Sequence, residues 1–194
     1  MLSSITPLGE RGRGQRWEIT MGFFVLGSTA GGSALGGLLG AAGGVAGLGT
    51  RPVALWLLAA AALLGAAFDG RLPTTRRQVN EDWLGRYRGW VYGGAFGAQL
   101  GAGVVTVVTT SAVYVTFAAA FLSGSAVLGA VVGGCFGLVR ALPVVATRRV
   151  RRTDQLVAVD RRLDAWNRPA RGLAVAAQVA IGVTVAGLAM AVAR

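Results

Sequence analysis

The chain has 194 residues, of which 54% are hydrophobic and 14% charged, and its formal net charge is +11. Soluble domains have about 25% charged residues, so the scarcity of charge and the mean hydropathy of +0.58 exclude an ordinary soluble protein. The chain has no histidine and a single cysteine, Cys135. This excludes histidine-based metal and proton-transfer chemistry, an internal disulfide and a dithiol redox pair.

The basic residues, all of them arginine, are concentrated in three segments that alternate with uncharged apolar runs. Every arginine except Arg51 and Arg194 lies within 1–20, 71–88 or 140–171. An uncharged run of about 18 or more apolar residues is long enough to cross a bilayer core of roughly 30 Å. The alternation predicts an all-α, polytopic transmembrane helix bundle in a cell membrane, which we expect to be the cytoplasmic membrane of a bacterium.

Arginine next to a membrane span mainly sets the orientation of that span. It also attracts anionic lipid at the cytoplasmic face of the bilayer. The net positive charge is therefore explained by the membrane, and no nucleic-acid partner is expected.

Residues 1–20 are polar and are predicted to form a cytoplasmic N-terminal stub. The remainder, 21–194, is predicted to be one transmembrane domain. Its first span covers 21–49 and is rich in glycine, and its second covers 53–68 after Pro52, which suits the first turn of a helix.

The first basic loop, 70–88, is predicted to contain a short amphipathic helix at the membrane interface. Its apolar residues recur at spacings of four, four and three, at Val79, Trp83, Tyr87 and Trp90. That spacing is typical of one helix face. The loop also contains a charged cluster, made of Glu81, Asp82, Arg86 and Arg88. We interpret the cluster as solvated loop charge, and the alternative is a cytoplasmic gate or a docking site for a partner.

Residues 89–139 contain no charge and are too long for one span. A turn at 109–111 would divide them into spans 89–108 and 112–139, and a turn at 123–125 would divide them into a long and a short piece. We favour the first division on length. Three spans here would place a large basic loop outside, against the positive-inside rule.

The second basic loop, 140–171, is predicted to carry another interfacial helix that ends near Pro169. Its apolar residues repeat at three, four and three: Leu156, Val159, Leu163 and Trp166. The last predicted span is 172–193. Five spans with the N-terminus inside place all three basic segments in the cytoplasm and the C-terminus outside, as the positive-inside rule favours.

Three predicted spans carry glycine at every fourth position, which places each set along one helix face. The sets are Gly36, Gly40 and Gly44; Gly93, Gly97 and Gly101; and Gly129, Gly133 and Gly137. Without side chains at these positions, two helices approach to backbone contact. The pattern predicts tight packing within one subunit, with a subunit interface or a moving helix pair as the alternative.

Gln99 and Gln178 are the clearest polar side chains at depth. An unpaired amide in hydrocarbon costs several kcal/mol, so we expect each to have a partner. The simplest arrangement is a hydrogen bond between helices, formed by the two glutamines themselves. The alternative is a polar substrate or ion site near the membrane midplane, with Thr106 and neighbouring threonines on its outer side.

These patterns favour a non-catalytic helix-packing subunit or scaffold of a membrane complex, partnered by a second copy or by another membrane protein. The alternative is a small transporter or channel with a polar site near Gln99 and Gln178. No ionisable residue is predicted within a span, and coupled carriers usually need one. No enzyme, metal or cofactor is expected, because the sequence contains no catalytic constellation, ligand cluster or cofactor motif.

Overall fold

The structure, a computed structural model, is all-α and describes residues 6–49, 52–69, 71, 86–103, 110–150 and 152–193. The helices in these ranges are α1 (Pro7–Gly12), α2 (Trp17–Val45), α3 (Pro52–Ala67), α4 (Gly89–Gly101), α5 (Ala112–Leu122), α6 (Ala126–Ala146) and α7 (Thr153–Val192), with a 3₁₀ turn at Thr147–Arg149. Three segments are long and apolar enough to cross a membrane: Trp17–Val45, Ala126–Val145 and Val157–Val192. Helices α3 and α5 are apolar but shorter. The prediction of an all-α protein with long apolar helices is confirmed.

Helix α2 lies between α4 and α6. Helix α4 runs parallel to α2, because Gly93 lies against Thr20 and Gly101 lies against Ser28 further along both helices. Gly97 of the same set lies between them, against Phe24. The spacing of four on α4 therefore matches a spacing of four on α2, and the two backbones touch over about three helical turns.

Helix α6 runs antiparallel to α2 on its other side. Its N-terminal glycine of the set, Gly129, lies against Gly36 and Gly40, and its C-terminal one, Gly137, lies against Ser28. The hydroxyl of Ser28 donates a hydrogen bond of 2.6 Å to the carbonyl oxygen of Gly137. The small residues thus allow the backbones to touch, and a buried hydroxyl fixes the register between them.

One end of the bundle is basic. Helix α1, the N-termini of α2 and α4 and the C-terminus of α6 meet there, because α4 is parallel and α6 antiparallel to α2. Six exposed arginines define this basic end: Arg11, Arg16, Arg86, Arg88, Arg148 and Arg152. At the opposite end Gly124, with φ +59°, turns the chain between α5 and α6 and lies against Gly49.

Helix α7 packs mainly against α3 and runs antiparallel to it. Gly182 lies against Leu63 and Ala59, whereas Gln178 lies beside Gly65 further along α3. Helix α7 is one continuous helix of 40 residues. Its first half carries exposed charge, and only its second half packs along α3.

The predicted span 112–139 is wrong as a single helix. The chain turns at Ser123, Gly124 and Ser125, and the hydroxyl of Ser125 accepts a hydrogen bond from the Leu128 N–H to begin α6. The structure therefore has the other division, with the turn at 123–125. Span 89–108 also differs, since α4 ends at Gly101 and residues 104–109 lie outside the described part.

The length argument failed because α6 does not stop at the first arginine. It continues through Arg140 and Pro143 to Ala146. The guanidinium of Arg140 lies 5.3 Å from the ring centre of Phe136, where the aromatic face attracts the cation. Arg140 thus lies within the apolar segment Ala126–Val145, which corrects the expectation that no ionisable residue lies within a span.

The predicted boundary at Pro169 is also wrong. Pro169 lies within α7, so the expected interfacial helix of loop 140–171 and the last span are one helix. Proline removes a single N–H donor and bends a helix rather than always ending it. Helix α2 likewise begins at Trp17, four residues before the predicted span.

Candidate functional site

Two polar clusters tie the helices together, and the first lies at the basic end around Glu10. We name Glu10, Arg13, Thr20 and Tyr92 the Glu10 cluster. The Tyr92 hydroxyl lies 2.6 and 2.5 Å from the two carboxylate oxygens of Glu10, to which it donates. Thr20 Oγ1 donates to Oε2 at 2.8 Å, and Arg13 Nη2 donates to Oε1 at 2.6 Å. Glu10 and Tyr92 are both 0% exposed, so α1 is anchored under α2 and α4.

Local sequence places the Glu10 carboxylate. Thr6 caps α1 by accepting a hydrogen bond of 3.1 Å from the Gly9 N–H, and Pro7 occupies the first turn. The Gly89 N–H donates to Gln15 Oε1 at 3.2 Å. A Cβ at Gly89 would overlap Thr20 Oγ1, so only glycine permits α4 to begin this close to the cluster.

Electrostatics favour the charged form of Arg13. Burial by itself lowers the pKa of the guanidinium, but the hydrogen bond and negative charge of Glu10 outweigh burial and raise the pKa above its ordinary value.

The N-terminal segment was predicted to be a cytoplasmic stub. In the structure its residues 6–15 are a folded part of the bundle.

The second polar cluster lies where α3 ends and α5 begins. We name Asp69, Ser111, Arg171 and Gln178 the Asp69 cluster. Asp69 Oδ1 accepts hydrogen bonds from the Ser111 N–H at 2.7 Å and the Ser111 hydroxyl at 2.8 Å. Arg171 Nε donates to Asp69 Oδ2 at 2.6 Å, and Arg171 Nη2 donates to the Asp69 carbonyl oxygen at 2.8 Å. One carboxylate thus links α3, α5 and α7.

Gln178 completes the Asp69 cluster from within α7. It is 3% exposed, and its Oε1 lies 3.0 Å from Ser111 Oγ. Ser111 has one hydroxyl proton for two neighbouring acceptors, while Gln178 Nε2 has no partner among the described residues. Rotating the side-chain amide of Gln178 by 180° exchanges the positions of its nitrogen and oxygen atoms. In that orientation Nε2 donates to Ser111, and Ser111 donates to Asp69.

We expect the Asp69 cluster to make the stability of the fold depend on pH. Burial by itself raises the pKa of Asp69, but the hydrogen bonds from Ser111 and Arg171 outweigh burial and lower the pKa below its ordinary value. A lowered carboxyl pKa adds stability that is complete above the ordinary value of about 3.9 and is lost as the pH falls through the folded-state value.

We therefore expect the thermal unfolding temperature in detergent to fall on acidification below about pH 4, and to fall less in Asp69→Asn. Asp154→Asn, at an exposed position on α7, is the matched control and keeps the full fall. An acid-induced fall that is equal in all three proteins would contradict the role of Asp69.

The two glutamines do not pair with each other. Gln178 is bonded within the Asp69 cluster, whereas Gln99 lies on α4, which packs against α2 and α6. Gln99 Oε1 is buried without a partner in the described part of the chain. Thr106, the third residue of the predicted polar site, lies outside the described residues.

The charged cluster of the first basic loop is only partly described. Arg86 and Arg88 are exposed at the basic end, and Glu81 and Asp82 lie outside the described residues. Within the described ranges, no group of three or more metal-binding side chains comes together. The clusters that the structure does form use Glu10 and Asp69, which sequence reasoning did not select.

A usable signal existed for Asp69. It is the only acidic residue between Glu18 and Glu81, directly after an apolar helix. A carboxylate at the end of an apolar helix is either solvated by water or buried with a hydrogen-bonding partner. The sequence does not distinguish these two arrangements. Glu10 carried no comparable signal, because it lies in a segment of mixed charge.

Comparison with known proteins relates the chain to methylamine utilization protein MauF. It is 34% identical over 178 residues to MauF of Paracoccus versutus, covering 84% of this chain and 61% of that protein. It is 33% identical over 177 residues to MauF of Paracoccus denitrificans, covering 84% and 60%. For MauF of Methylobacillus flagellatus the identity is 31% over 137 residues, covering 66% and 48%.

The chain therefore spans about three-fifths of the length of the two Paracoccus relatives. No protein-family model matches it, and no solved structure matches it. The long apolar helices and the bacterial relatives together identify the chain as a multi-pass membrane protein similar to bacterial MauF.

Proposed function

We propose that the chain is a non-catalytic subunit of a bacterial cytoplasmic-membrane complex that serves methylamine utilization. The link to methylamine rests on the names of its relatives. The scaffold role rests on one observation, the continuous backbone contact of α2 with α4 and α6. Glycines packed in this way leave little freedom for α2 to move, which suits a rigid platform better than a moving gate.

The proposed membrane arrangement has five crossings. Helices α2, α3, α6 and α7 each cross once, and α4 and α5 together cross once, because α4 starts at the basic end and α5 finishes at the opposite end. The exposed arginines support a cytoplasmic basic end under the positive-inside rule. The same arginines would attract anionic lipid of the inner leaflet.

The distribution of polar groups also supports a scaffold. Ser28, Asp69, Ser111 and Gln178 have protein partners inside the bundle. Polar groups that are hydrogen-bonded within the protein hold the helices in place and are not available to bind a ligand. Such networks are a recognised source of specificity in helix packing.

One observation favours the second candidate, a small transporter or channel. Separate short helices with a carboxylate at their junction resemble the discontinuous helices that bind ions in secondary transporters. Here Asp69 and Ser111 lie at the start of α5, beside a crevice of about 300 Å³ that includes Gly65, Ser111 and Tyr114. Gln178 borders the same junction.

Cysteine accessibility separates the two candidates. In a Cys135→Ala background, single cysteines replace Gln99 and Gln178, and intact cells are treated with a small water-soluble maleimide. The scaffold predicts no labelling at either position, because the core is dry. Labelling at both positions would show that water reaches the core and would favour the transporter.

Controls in the same cells test the orientation. Cysteine at Ser123 is expected to label from outside, and cysteine at Ser3 or Gln155 only after the membrane is opened.

Deletion of the gene in its host tests the methylamine role. Growth on methylamine should fail while growth on another carbon source continues, and equal growth on both would contradict that role.

A further inference from the structure

An apolar crevice lies between α3 and α5. Its volume is about 300 Å³, which is at the lower limit of the range of about 300–1,000 Å³ that is usual for ligand pockets. Its walls include Ala61, Leu64 and Phe68 on one side, and Val115 and Ala118 of α5 on the other. Leu64 and Phe68 are also exposed to the surroundings of the bundle. The crevice is therefore an open groove in which an apolar chain can lie.

Three exposed arginines lie near one end of this crevice. Phe68, which lines the crevice, is followed directly by Asp69, and Arg171 is bonded to the Asp69 carboxylate. Arg71 lies in the same turn, where its N–H donates to the Phe68 carbonyl oxygen at 3.0 Å. Arg168 lies one turn before Arg171 on α7. The chain thus combines an apolar groove with a cationic end.

Positive charge exceeds negative charge at that end. Asp69 compensates one arginine through its ion pair with Arg171. Asp164, the next carboxylate on α7, lies one turn beyond Arg168 and further from the Asp69 cluster. Even when Asp164 is included, three positive charges face two negative ones. An anionic group is therefore attracted to this end of the crevice.

Asp69 also fixes the direction of the Arg171 guanidinium. Arg171 Nε donates to Asp69 Oδ2, and Nη2 donates to the Asp69 carbonyl oxygen. A guanidinium has five N–H donors, and the Arg171 side chain is 49% exposed, so further donors can meet a ligand. A guanidinium that is already held in place loses little freedom when it binds a phosphate.

The cationic and apolar parts follow one direction along the bundle. Gly49, shortly before α3, lies against Gly124, shortly after α5, so α3 begins and α5 finishes at the end opposite the basic end. The arginines therefore lie on the side of the crevice nearer the basic end, and Ala61 and Ala118 lie further from it. A phospholipid of the cytoplasmic leaflet has the same arrangement, with its phosphate towards the cytoplasm and its acyl chains towards the bilayer centre.

We propose that the crevice binds one anionic phospholipid of the cytoplasmic leaflet, with its phosphate at Arg71 and Arg171 and an acyl chain against Ala61 and Ala118. Basic pockets between membrane helices on the cytoplasmic side bind such headgroups. An acyl chain alone would leave the arginines without an anion, and a soluble phosphate would leave the walls uncovered. The inference rests on the proposed function only in placing the basic end in the cytoplasm.

Lipid retention in native mass spectrometry tests the headgroup contact. The protein is equilibrated in detergent with equal amounts of phosphatidylglycerol and phosphatidylcholine. The wild type should retain one phosphatidylglycerol, and Arg71→Gln should retain about fivefold less, because one arginine near the membrane surface contributes roughly that factor. Arg152→Gln removes an exposed arginine of the basic end and should behave like the wild type. Equal retention by both variants, or equal retention of both lipids, would overturn the proposal.

Two neighbouring alanines of α3 test the acyl-chain contact. Ala61→Phe places a ring in the crevice, whereas Ala60→Phe places the same ring at an exposed position outside its lining. Only Ala61→Phe should lose the bound phosphatidylglycerol. Identical retention by the two variants would contradict the assigned position of the chain. If Ala61→Phe does not fold, Arg71→Gln decides, since it replaces an exposed side chain.

Thermal unfolding in detergent separates a lipid from a soluble phosphate. A ligand that binds only the folded protein raises the unfolding temperature. Phosphatidylglycerol should raise it more in the wild type than in Arg71→Gln, and glycerol 3-phosphate, which lacks acyl chains, should leave it unchanged. An equal rise with glycerol 3-phosphate would assign the arginines to a soluble phosphate and overturn the proposal.

The orientation is tested separately by the cysteine labelling of intact cells. Inside placement of Gln155 without retention of phosphatidylglycerol would leave the five-crossing arrangement standing and overturn the lipid site. Outside labelling at Gln155 with retention intact would keep the lipid site but overturn its place in the cytoplasmic leaflet.

Discussion

Gly36→Ala is expected to destabilise the bundle by forcing α2 and α6 apart. A Cβ at Gly36 would overlap the carbonyl oxygen of Gly129 and press on Gly133, both of which are backbone and cannot rotate away. Overpacking of this kind costs about 1–3 kcal/mol, and here α2 and α6 must separate to relieve it. The thermal unfolding temperature in detergent, followed by size-exclusion chromatography, should fall by several degrees.

Gly22→Ala is the matched control on the same helix. Nothing lies within 4 Å of a Cβ at Gly22. Alanine in a helix is favoured over glycine by up to about 1 kcal/mol, so this variant should be neutral or slightly more stable. If both variants melt like the wild type, α2 and α6 are not in backbone contact, and the main support for the scaffold is lost.

The second large effect is expected for Glu10→Ala. The substitution removes the common acceptor of Tyr92, Thr20 and Arg13, and leaves two buried hydroxyls and one cation without it. Leaving a buried hydrogen-bond donor without its acceptor costs about 1–3 kcal/mol, and Tyr92 and Thr20 are both buried donors. The free energy of unfolding should fall by about 3 kcal/mol, and α1 should become sensitive to protease.

Glu18→Ala provides the comparison, because Glu18 is exposed in the first turn of α2. Its favourable position at a helix N-terminus contributes only about 0.3–1 kcal/mol. Glu10→Gln should lie between the two, since the amide still accepts from Tyr92 but lacks the charge that pairs with Arg13. Equal stability of Glu10→Ala and Glu18→Ala would show that the Glu10 cluster does not hold α1.

The Glu10 and Asp69 clusters show where sequence reasoning stops. Glu10 and Tyr92 are separated by 82 positions, and Asp69 and Arg171 by 102. Each residue taken alone has an ordinary local explanation, as loop charge, an interfacial aromatic or a helix end. Only the folded chain brings the pairs within hydrogen-bond distance, because α4 lies parallel to α2 and α7 antiparallel to α3.

For the two glutamines, the sequence shows the polar residue but not its partner. An amide inside an apolar run is visible in the sequence, and in the structure Gln178 is buried and the Oε1 atom of Gln99 is buried. Their partners were not predictable, because the choice depends on which helices are neighbours. Gln178 on α7 meets Ser111 through the packing of α7 on α3, while Gln99 lies on α4, which packs against α2 and α6.

The sequence by itself determined that this protein is helical and lies in a membrane, and that several helices carry a face without side chains. Those properties are local, since apolar length and a period of four are read from neighbouring residues. The tertiary structure decided where the helices end and which charges are buried. Helix ends and buried pairs depend on contacts between distant segments, such as Tyr92 with Glu10 and Asp69 with Ser111 at the start of α5, and no local pattern encodes them.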